Sequence, residues 1–305
     1  MTGHVMVFAP VPLLTATIEC PGATDELHLH AGGQGVWNAR MVATLGVPVT
    51  LCAALGGETG DVLHHLLADE GLTLRSVERE ASSGWYVHDR RTGQRTEVAA
   101  SHGPALTRHE LDELYGLALA EGLRANVSIL SGTPDPALVA PEAYRRLAAD
   151  LTGNGARVVA DLTGEHLTAV LAGGVSLVKV SHEELRAAGR VGSADRAELV
   201  DALHALAAEG AAAVIISRAA EPALALLDGA AYEIALPSLE VAEHRGAGDS
   251  MTAAAAARLA RGADLVDAVR TGAAAGAVNV TRHGLGTGHT DLIAEIADRV
   301  EMRRL

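Results

Sequence analysis

The sequence predicts a three-layer α/β fold, with a mostly parallel central sheet between two layers of helices. Two observations support this prediction. Short runs of apolar and β-branched residues alternate with helical patterns through the middle of the chain, and the last third is mostly helical. A third observation adds a smaller element, because two stretches in the first hundred residues alternate between polar and apolar side chains and so predict a separate small sheet.

The small sheet is predicted from two separated segments, at about residues 12–31 and 82–100. Runs such as TATIE, ELHLH and WYVHD alternate in polarity, and a Thr-Gly turn at 92–93 divides the second segment, so both are expected to form short antiparallel strands. His28 and His30 would share one face; with no third ligand at a fixed spacing, they are interpreted as surface or lid histidines. We expect this sheet to cover the cleft of the main domain as a lid that excludes water.

Four apolar runs predict buried parallel strands, since strands covered on both faces are apolar along their whole length. Ligands of such sheets gather at the carboxyl ends of the strands, and Asp161, Lys179 and Ser217 lie at or near these ends. The runs are VSIL at 127–130, RVVADL at 157–162, VSLVKV at 175–180 and AVIIS at 213–217.

Helices are predicted between these strands, where Pro141 and Asp195 are typical first-turn residues, and again through the C-terminal third. The predicted segments are 141–151, 195–208, 250–261, 264–280 and 290–305.

Composition limits the class of protein. The chain has 305 residues, 49% of them hydrophobic, which suffices for a single domain over residues 1–305 with the lid as an appendage. Its net charge of −14 argues against nucleic acid or an anionic membrane as the main partner. Cys20 and Cys52 lack metal or redox spacing, and no apolar run has membrane length, so we expect a cytoplasmic protein.

The motif with the clearest chemistry is RGAGDSM at 245–251, at the start of an alanine-rich helix. Gly246, Ala247 and Gly248 can direct consecutive backbone N–H groups to one point, and the helix adds roughly half a positive charge there, so the motif suits an anion. Asp249 has two interpretations: it caps the helix, which the local sequence favours, or it is a general base beside the anion.

A second motif is KVSHEEL at 179–185, where the only lysine of the chain ends a predicted strand. Lys179 could contact phosphate oxygens, and a carboxylate of the following turn could hold hydrated Mg²⁺. The equally weighted alternative is a solvated lysine followed by glutamates that stabilise a helix N-terminus.

The third motif, AGGQGVWNARMVATLGVPVTLCAALGGETG at 31–60, begins a helix with Gly32 and Gly33. Alone, these glycines indicate no more than a hinge or a close approach of the backbone. The sequence has no GxxxxGK[ST] pattern, so a nucleotide would have to bind by another scheme.

Together these motifs, with ILSGTPDPALVA at 129–140, RVVADLTGEHL at 157–167 and the closing GLGTG at 284–288, resemble the PfkB, or ribokinase-like, carbohydrate kinases. The resemblance covers nearly the whole chain and is greatest to the 1-phosphofructokinase and tagatose-6-phosphate kinase branch. It implies a ribokinase-like fold with a lid that relatives often use for dimerisation, so a homodimer through the lid is one expected arrangement. It also implies phosphorylation of a hydroxyl by ATP with Mg²⁺.

The resemblance also implies roles for individual residues. Asp249 matches the catalytic base, and Gly246, Ala247 and Gly248 match the anion hole for the γ-phosphoryl group. The positions implied for cofactor binding are Lys179, Ser181, Ser217, Asn279 and Gly286, with Mg²⁺ at Glu184. The positions implied for the acceptor are Leu13, Gly32, Gly33, Gln34, Trp37 and Trp85.

Two departures concern the nucleotide. The family has an asparagine where this chain has Ser181, three residues before Glu184. Its S-x-G-x-x-G turn appears here as SRAAEP, with Ala219 and Pro222 in place of the glycines. These changes bear on the detail of nucleotide binding, and Arg245, where relatives commonly have threonine, could add a cation to the phosphates.

The larger departures concern the acceptor. Gln34 replaces a lysine, Leu13 a sugar-binding aspartate, and Ser82 aligns with a phosphate-contacting arginine. One charge-assisted contact contributes roughly 1.5–3 kcal/mol, so losing two cations should weaken binding of a sugar phosphate. Trp37 and Trp85, the only tryptophans, both map beside the acceptor pocket, either as core filling or as flat surfaces for a ring.

The main hypothesis is therefore a PfkB-type kinase for an unphosphorylated acceptor: a sugar, cyclitol, nucleoside or glycosylated metabolite, an acarbose-like pseudo-oligosaccharide among them. Two alternatives stay open. One is a sugar-phosphate kinase of the 1-phosphofructokinase or tagatose-6-phosphate kinase type, and the other is a catalytically weak ligand sensor on the same fold.

Overall fold

The computed structural model describes residues 3–237, 239–240, 242, 245–282 and 286–305. The strands are β1 (Val5–Phe8), β2 (Leu13–Glu19), β3 (Glu26–Gly32), β4 (Val49–Leu55), β5 (Thr73–Glu78), β6 (Gly84–Asp89), β7 (Thr96–Ser101), β8 (Val127–Ser131), β9 (Arg157–Asp161), β10 (Leu177–Ser181), β11 (Val214–Arg218), β12 (Glu221–Leu227), β13 (Ala230–Ala235) and β14 (Glu301–Arg304). The helices are α1 (Gln34–Thr44), α2 (Gly57–Ala68), α3 (Arg108–Gly122), α4 (Pro141–Gly153), α5 (Gly164–Gly173), α6 (His182–Ala187), α7 (Arg196–Ala208), α8 (Ala247–Ala260), α9 (Leu265–Val280) and α10 (Thr290–Ala297).

The central sheet has ten strands in the order β14-β13-β12-β11-β10-β9-β8-β1-β4-β5. From β11 to β5 every pairing is parallel, and the three strands at the other edge pair antiparallel. Alternate residues of β1 enter opposite cores: Val5 and Val7 pack with α1, α8 and α9, whereas Met6 and Phe8 pack with α3, α4 and α7. The predicted three-layer fold with a mostly parallel sheet is thus confirmed.

The four-stranded lid, in the order β3-β2-β6-β7, forms from the two predicted segments. Each segment is an antiparallel hairpin, and Gly93 takes the left-handed conformation (φ 80°) in the second one. The two hairpins join through β2 and β6, which run parallel, so the expectation of antiparallel strands alone was wrong. The reason is that neighbouring strands from separate segments need no tight turn, and their direction is set by how the hairpins dock.

The edge of the main sheet differs most from the predictions. The segment 221–235, for which no element was predicted, forms the β12–β13 hairpin, whose Asp228-Gly229 turn has both residues at positive φ, the arrangement that hairpins favour. The helix predicted over 290–305 ends at Ala297, and β14 pairs with β13 instead. Pairing gives the last residues a backbone partner, and Glu233 on β13 forms an ion pair with Arg303 of β14 (Nη2–Oε1 2.6 Å).

Among the described residues, every helix is too short or too polar to span the hydrocarbon core of a membrane.

Candidate active site

The site lies at the carboxyl edge of the central sheet, as the sequence predicts. Lys179 on β10 pairs with Asp161 on β9, and Ser181 pairs with Ser217 on β11, so the ends of three strands lie side by side. Helix α8 packs across β8, β9 and β10. Its N-terminus therefore meets the strand ends that present the candidate residues.

The N-terminus of α8 is built by glycine. Gly246 is the N-cap in the left-handed conformation (φ 76°, ψ 0°), and the first helical hydrogen bond runs from the Ser250 N–H to the Gly246 carbonyl (2.9 Å). The N–H groups of the first turn precede this bond and have no partner within the helix, which is the arrangement that binds anions. Asp249 lies inside the helix at its third position, so the interpretation of this residue as the helix cap is wrong.

Asp249 has the properties of a general base. Only 9% of the residue is exposed, and a hydrogen bond from Gln34 reaches its carboxylate. Burial, and then the negative charge of Asp161, raise the pKa of Asp249 to about 7, although Lys179 and the Gln34 hydrogen bond act in the opposite direction. A base with a pKa near the working pH is the most effective kind in proton transfer.

Lys179 lies below this helix terminus. Its Nζ is 3.3 Å from Asp161 Oδ2, and both side chains are buried. Burial lowers the pKa of Lys179, but Asp161, Glu184 and Asp249 outweigh it and raise the pKa, so the ammonium stays charged. A Cβ on Gly248 would lie only 2.3 Å from Nζ. Lys179, which was predicted to bind the nucleotide, is thus buried, and its ammonium packs against the backbone of Gly248 on the inner side of the anion site.

Asp161 and Thr252 complete the buried network. The sequence placed Asp161 at a strand end but did not predict its contact with Thr252. The Thr252 hydroxyl lies 2.9 Å from Asp161 Oδ2 and 3.0 Å from the Gly248 carbonyl. Burial raises the pKa of Asp161, against the attraction of Lys179. The spacing GDSMT, with threonine one helical turn after Gly248, is the signal that could have suggested this contact.

Ser181 and Glu184 form a capping box on α6. The Ser181 hydroxyl accepts from the Glu184 N–H (3.2 Å), and Glu184 Oε2 accepts from the Ser181 N–H (2.7 Å). Serine in place of the family's asparagine therefore keeps the helix cap. Glu184 is half-buried and retains a second carboxylate oxygen, and its charge reaches Lys179, Asp161 and Asp249.

The altered nucleotide turn keeps a glycine-like backbone. Ala219 has φ 51°, which is the left-handed region, so it adopts the conformation for which glycine is preferred. Ser217, two residues before it, is half-buried at the end of β11, and its carbonyl lies 3.4 Å from His182 Nδ1.

Asn279 connects two loops through its side-chain amide. It is fully buried; its Nδ2 donates to the Arg245 carbonyl (2.7 Å) and its Oδ1 accepts from the Gly286 N–H (3.1 Å). Gly286 has φ 65°, and a Cβ there would lie 2.5 Å from the Trp37 carbonyl. Both residues predicted to bind the cofactor thus join the anion site to helix α1.

Gln34, at the first position of α1, contacts the candidate base Asp249. Its Oε1 accepts a hydrogen bond from the Gly132 N–H, and its side chain also bonds to Asp249. The turn before it is tight: Gly33 has φ 101°, and a Cβ on Gly32 would lie 2.6 Å from Thr15 Oγ1. The replacement of lysine by glutamine therefore gives a neutral bridge between β8 and the base.

Two adjoining cavities, of about 500 and 360 Å³, lie under the inner face of the lid. Tyr86 and Arg95 line both of them and so mark the boundary between them. The smaller cavity reaches Arg245, immediately before the anion site, and the larger extends along β2 and β3 to Trp37 on α1. These two cavities are the candidate acceptor cleft.

The two tryptophans lie on different surfaces. Trp37 is half-buried and lines the larger cavity. Trp85 lies between Tyr86 and Gly84 and next to Leu14 in register, on the face of the lid opposite Tyr86 and His88. The expectation that both tryptophans line the acceptor pocket was wrong, because successive residues of a strand point to opposite faces.

Leu13, which the family resemblance aligns with a sugar-binding aspartate, is only 2% exposed. Its Cδ2 lies 2.4 Å from where a Cβ on Gly84 would be, so its side chain packs onto the neighbouring strand. It provides an apolar contact at the base of the lid and no hydrogen bond to a sugar hydroxyl.

Two arginines near the cleft, Arg90 and Arg95, were missed from the sequence, whereas Arg245 was expected to add a cation to the phosphates. Arg95 contacts His88 Nε2 and lies 5.9 Å from the centre of the Tyr86 ring. Burial, and then the charges of Arg95, Arg245 and Arg90, lower the pKa of His88 to about 4. The two cations expected to be lost at Gln34 and Ser82 are thus accompanied by two others that line the smaller cavity, Arg95 from the β6–β7 turn and Arg245.

No group of three or more histidine, cysteine or acidic side chains in the described part of the chain could hold a metal by itself. Magnesium is usually held by one or two carboxylates together with substrate phosphates, and the half-buried Glu184 beside the anion site fits that donor set.

The sequence model described as pfkB family carbohydrate kinase matches residues 10–291. The ATP-dependent 6-phosphofructokinase isozyme 2 of Mycobacterium tuberculosis is 31% identical over 214 residues, which cover 67% of this chain and 61% of that protein. The chain thus spans about three fifths of the length of this relative. The 1-phosphofructokinase of Xanthomonas campestris is 30% identical over 221 residues, 68% of each chain.

Solved structures have the same architecture. Phosphofructokinase-2 from Escherichia coli in complex with potassium superposes with a TM-score of 0.85 at 26% identity, covering 98% of this chain and 99% of that one. Ribokinase of Arabidopsis thaliana, complexed with ribose and ATP, gives a TM-score of 0.75 at 17% identity and covers 97% of this chain and 99% of that one, a likeness of fold alone.

Proposed function

Because the chain belongs to the pfkB family of carbohydrate kinases, and is therefore a phosphotransferase that acts on a hydroxyl group, we propose that it transfers the γ-phosphoryl group of ATP to a hydroxyl of a sugar phosphate held between the lid and α8. The observation that supports this acceptor best is the cationic surface of the cleft. Arg95 and Arg245 line the smaller cavity beside the anion site, and Glu97 is the only carboxylate among the described residues that line it. Burial, and then the charges of Arg95, Arg245 and Arg90, lower the pKa of His88 in the same cavity. The names of the curated relatives agree with an acceptor of this class.

In this proposal, ATP supplies the phosphoryl group and Mg²⁺, bound through Glu184, offsets the charge of its phosphates. Asp249 accepts the proton of the acceptor hydroxyl, and Gln34 fixes the orientation of that carboxylate. The N–H groups of Ala247 and Gly248 hold the negative charge at the start of α8, with the buried charge of Lys179 below them. The lid excludes water from the cleft.

The test is a steady-state assay with Mg-ATP that follows ADP release and identifies the product by mass. Its acceptors are fructose 6-phosphate, fructose 1-phosphate and tagatose 6-phosphate, compared with fructose, glucose and ribose. We expect turnover of a sugar phosphate. Removal of one charge-assisted contact, by Arg95→Gln or Arg245→Gln, should raise its KM by roughly 10- to 100-fold.

Arg91→Gln is the matched control for Arg95→Gln. Arg91 lies on the same β6–β7 turn but is paired with Asp89 (2.7 Å) and Asp25 (3.0 Å) away from the cavities. The KM of the Arg91→Gln variant for the sugar phosphate should stay at the wild-type value. A chain that phosphorylates neutral acceptors and leaves every sugar phosphate unchanged would contradict the proposed acceptor.

An unphosphorylated acceptor, the main hypothesis from the sequence, is the second candidate. It is favoured by Leu13, which is buried and apolar where relatives have an aspartate, and by Gln34, whose amide bonds within the protein where relatives have a lysine. The same assay distinguishes the two acceptor classes. The third alternative, a catalytically weak sensor, predicts no turnover with any acceptor, and the raised pKa of Asp249 argues against it.

For the assembly, we propose a homodimer through the outer face of the lid. Leu27, Leu29 and Val98 on lid strands are 64%, 42% and 60% exposed, and Trp85 lies on the same outer side as the two leucines. Light scattering should give a dimer mass for the wild type and a monomer mass for Leu27→Asp/Leu29→Asp. A monomer mass for the wild type would contradict the proposed homodimer.

A cytoplasmic location of the protein stays a prediction.

A further inference from the structure

The larger of the two cavities extends away from the reacting atoms. Leu13, at the start of β2, pairs with Gly32, which lies two residues before Gln34. Because Gln34 hydrogen-bonds to Asp249, residues further along β2 lie further from this base. Thr15, Thr17 and Glu19 follow at alternate positions and all line this cavity. From the first to the third of these residues the strand advances by about 13 Å. The cavity thus runs along the lid, well beyond the catalytic cluster.

The volume of this compartment exceeds what the proposed reaction needs. The smaller cavity already adjoins the anion site and contains Arg95 and Arg245, which suit the phosphate of the acceptor. The larger one adds about 500 Å³, within the range of roughly 300–1,000 Å³ typical of pockets that enclose a whole drug-sized ligand. A single sugar ring with its phosphate would leave much of it filled only by water.

The wall of this compartment is suited to a sugar and poorly suited to a second phosphate. Two pairs of charged groups face one another: Arg90 lies 3.7 Å from Glu19, and Arg40 Nε donates to Glu70 Oε2 (2.7 Å). The remaining arginine, Arg95, lies at the boundary with the smaller cavity. Burial, and then the charge of Arg40, lower the pKa of His30, so its imidazole is neutral at pH 7.

The uncharged surface has both kinds of group that bind a sugar ring. The hydroxyls of Thr15 and Thr17 can exchange hydrogen bonds with sugar hydroxyls, and Trp37 presents a flat aromatic surface on the opposite side, from α1. The compartment therefore combines neutral donors and acceptors with an aromatic ring.

We propose that the acceptor carries a second sugar ring, which occupies the compartment between Trp37 and the lid residues Thr15, Thr17 and Glu19. The acceptor class is then a phosphorylated disaccharide or longer glycoside. This inference rests on the proposed kinase function and extends it from the reacting ring to the rest of the acceptor.

The experiment compares acceptors that differ by one ring. The pairs are fructose 6-phosphate with sucrose 6F-phosphate, whose phosphate is on the fructose ring, and glucose 6-phosphate with trehalose 6-phosphate, together with the four unphosphorylated sugars. We expect kcat/KM for the longer member of at least one pair to exceed that of the shorter by about tenfold, as one aromatic contact and a few hydrogen bonds would give. Equal or lower values for every longer acceptor would overturn the inference while the kinase proposal stands.

Two variants of one residue test the location. Thr17→Trp fills the compartment and should reduce the long-to-short ratio of kcat/KM to about one. Thr17→Ser keeps the hydroxyl and adds no volume, so it should retain most of the ratio. A ratio that Thr17→Trp leaves unchanged, with the variant folded by circular dichroism, would overturn the assignment of the second ring to this compartment.

Calorimetric titration of the same sugars separates the two proposals. Binding of a longer acceptor without turnover would support the compartment and overturn the kinase proposal. Turnover of the shorter acceptors, without binding or turnover of any longer one, would overturn the compartment alone. Absence of both binding and turnover for every acceptor would overturn both.

Discussion

The ammonium of Lys179 lies directly beneath Gly248, so close that a Cβ on the glycine would be 2.3 Å from Nζ. A buried cation is thereby held against the first turn of α8, whose N–H groups have no partner within the helix. The charge of the lysine and the dipole of the helix add at the same place. Any side chain at position 248 would therefore have to displace the buried lysine ammonium.

Gly248→Ala tests this contact. The added methyl group would displace Lys179 Nζ or the helix terminus, so we expect kcat to fall by at least tenfold, and the melting temperature to fall as well. Steady-state kinetics and thermal unfolding measure the two effects. Gly116→Ala is the control, because Gly116 is an exposed residue within α3 with open space around it; alanine there should stabilise the protein by roughly 0.5–1 kcal/mol. Wild-type kcat in Gly248→Ala would exclude a tight lysine–glycine contact.

The pH dependence of the reaction should follow Asp249. A base must be ionised to accept a proton, and its pKa is raised to about 7, so kcat/KM should increase with pH through about pH 7 and then level off. Lys179→Met removes a positive charge that lowers this pKa, so the acidic limb of the profile should move to higher pH. If the acidic limb lies at the same pH in both proteins, the charge of Lys179 does not affect the pKa of the catalytic base.

Asp249→Asn should lower kcat by about 10²–10⁴-fold, because proton transfer to a positioned base contributes that much. It should also stabilise the fold. The raised pKa of Asp249 gives the folded protein an advantage that is complete below the ordinary carboxyl pKa of 3.8 and is lost as pH rises through about 7. The asparagine variant does not lose this advantage, so its gain in melting temperature over wild type should be larger at pH 8 than at pH 5. Unchanged kcat would remove Asp249 from the mechanism.

Ala219→Gly should stabilise the protein, because Ala219 has φ 51° and alanine adopts that conformation at a cost of about 1 kcal/mol. The melting temperature should rise by roughly 2 °C. Ala220→Gly, one residue on and without a positive φ, is the control and should leave stability equal or lower. A lower melting temperature for Ala219→Gly would mean that the methyl group makes contacts that outweigh the strain.

The main sheet and the location of the site could be predicted because both depend on local patterns. Apolar runs such as VSLVKV identify buried strands, and Gly246 with the following helix identifies an anion site whatever the rest of the fold does. The capping box of Ser181 and Glu184 is likewise a local pattern, S-x-x-E. It was overlooked because Ser181 was compared only with the asparagine of the family.

The features that were wrong or missed depend on contacts between distant segments. Whether Trp85 faces the cleft is decided by the register of β2 and β6, and a shift of one residue would reverse it. Lys179 is buried because α8 crosses β10, and Arg245 meets the lid only in the folded chain. No short stretch of sequence holds this information.

The parallel pairing of β2 with β6 also bears on the order of folding. Leu13 and Gly84 are partners in register, yet the segment between them contains α1, β4, α2 and β5. The two hairpins can meet only after that segment has folded and brought their ends together, since closing so long a loop costs entropy that few lid contacts repay. The lid should therefore form last and exchange its amide hydrogens earliest, so that it opens to admit an acceptor while the ten-stranded sheet stays intact.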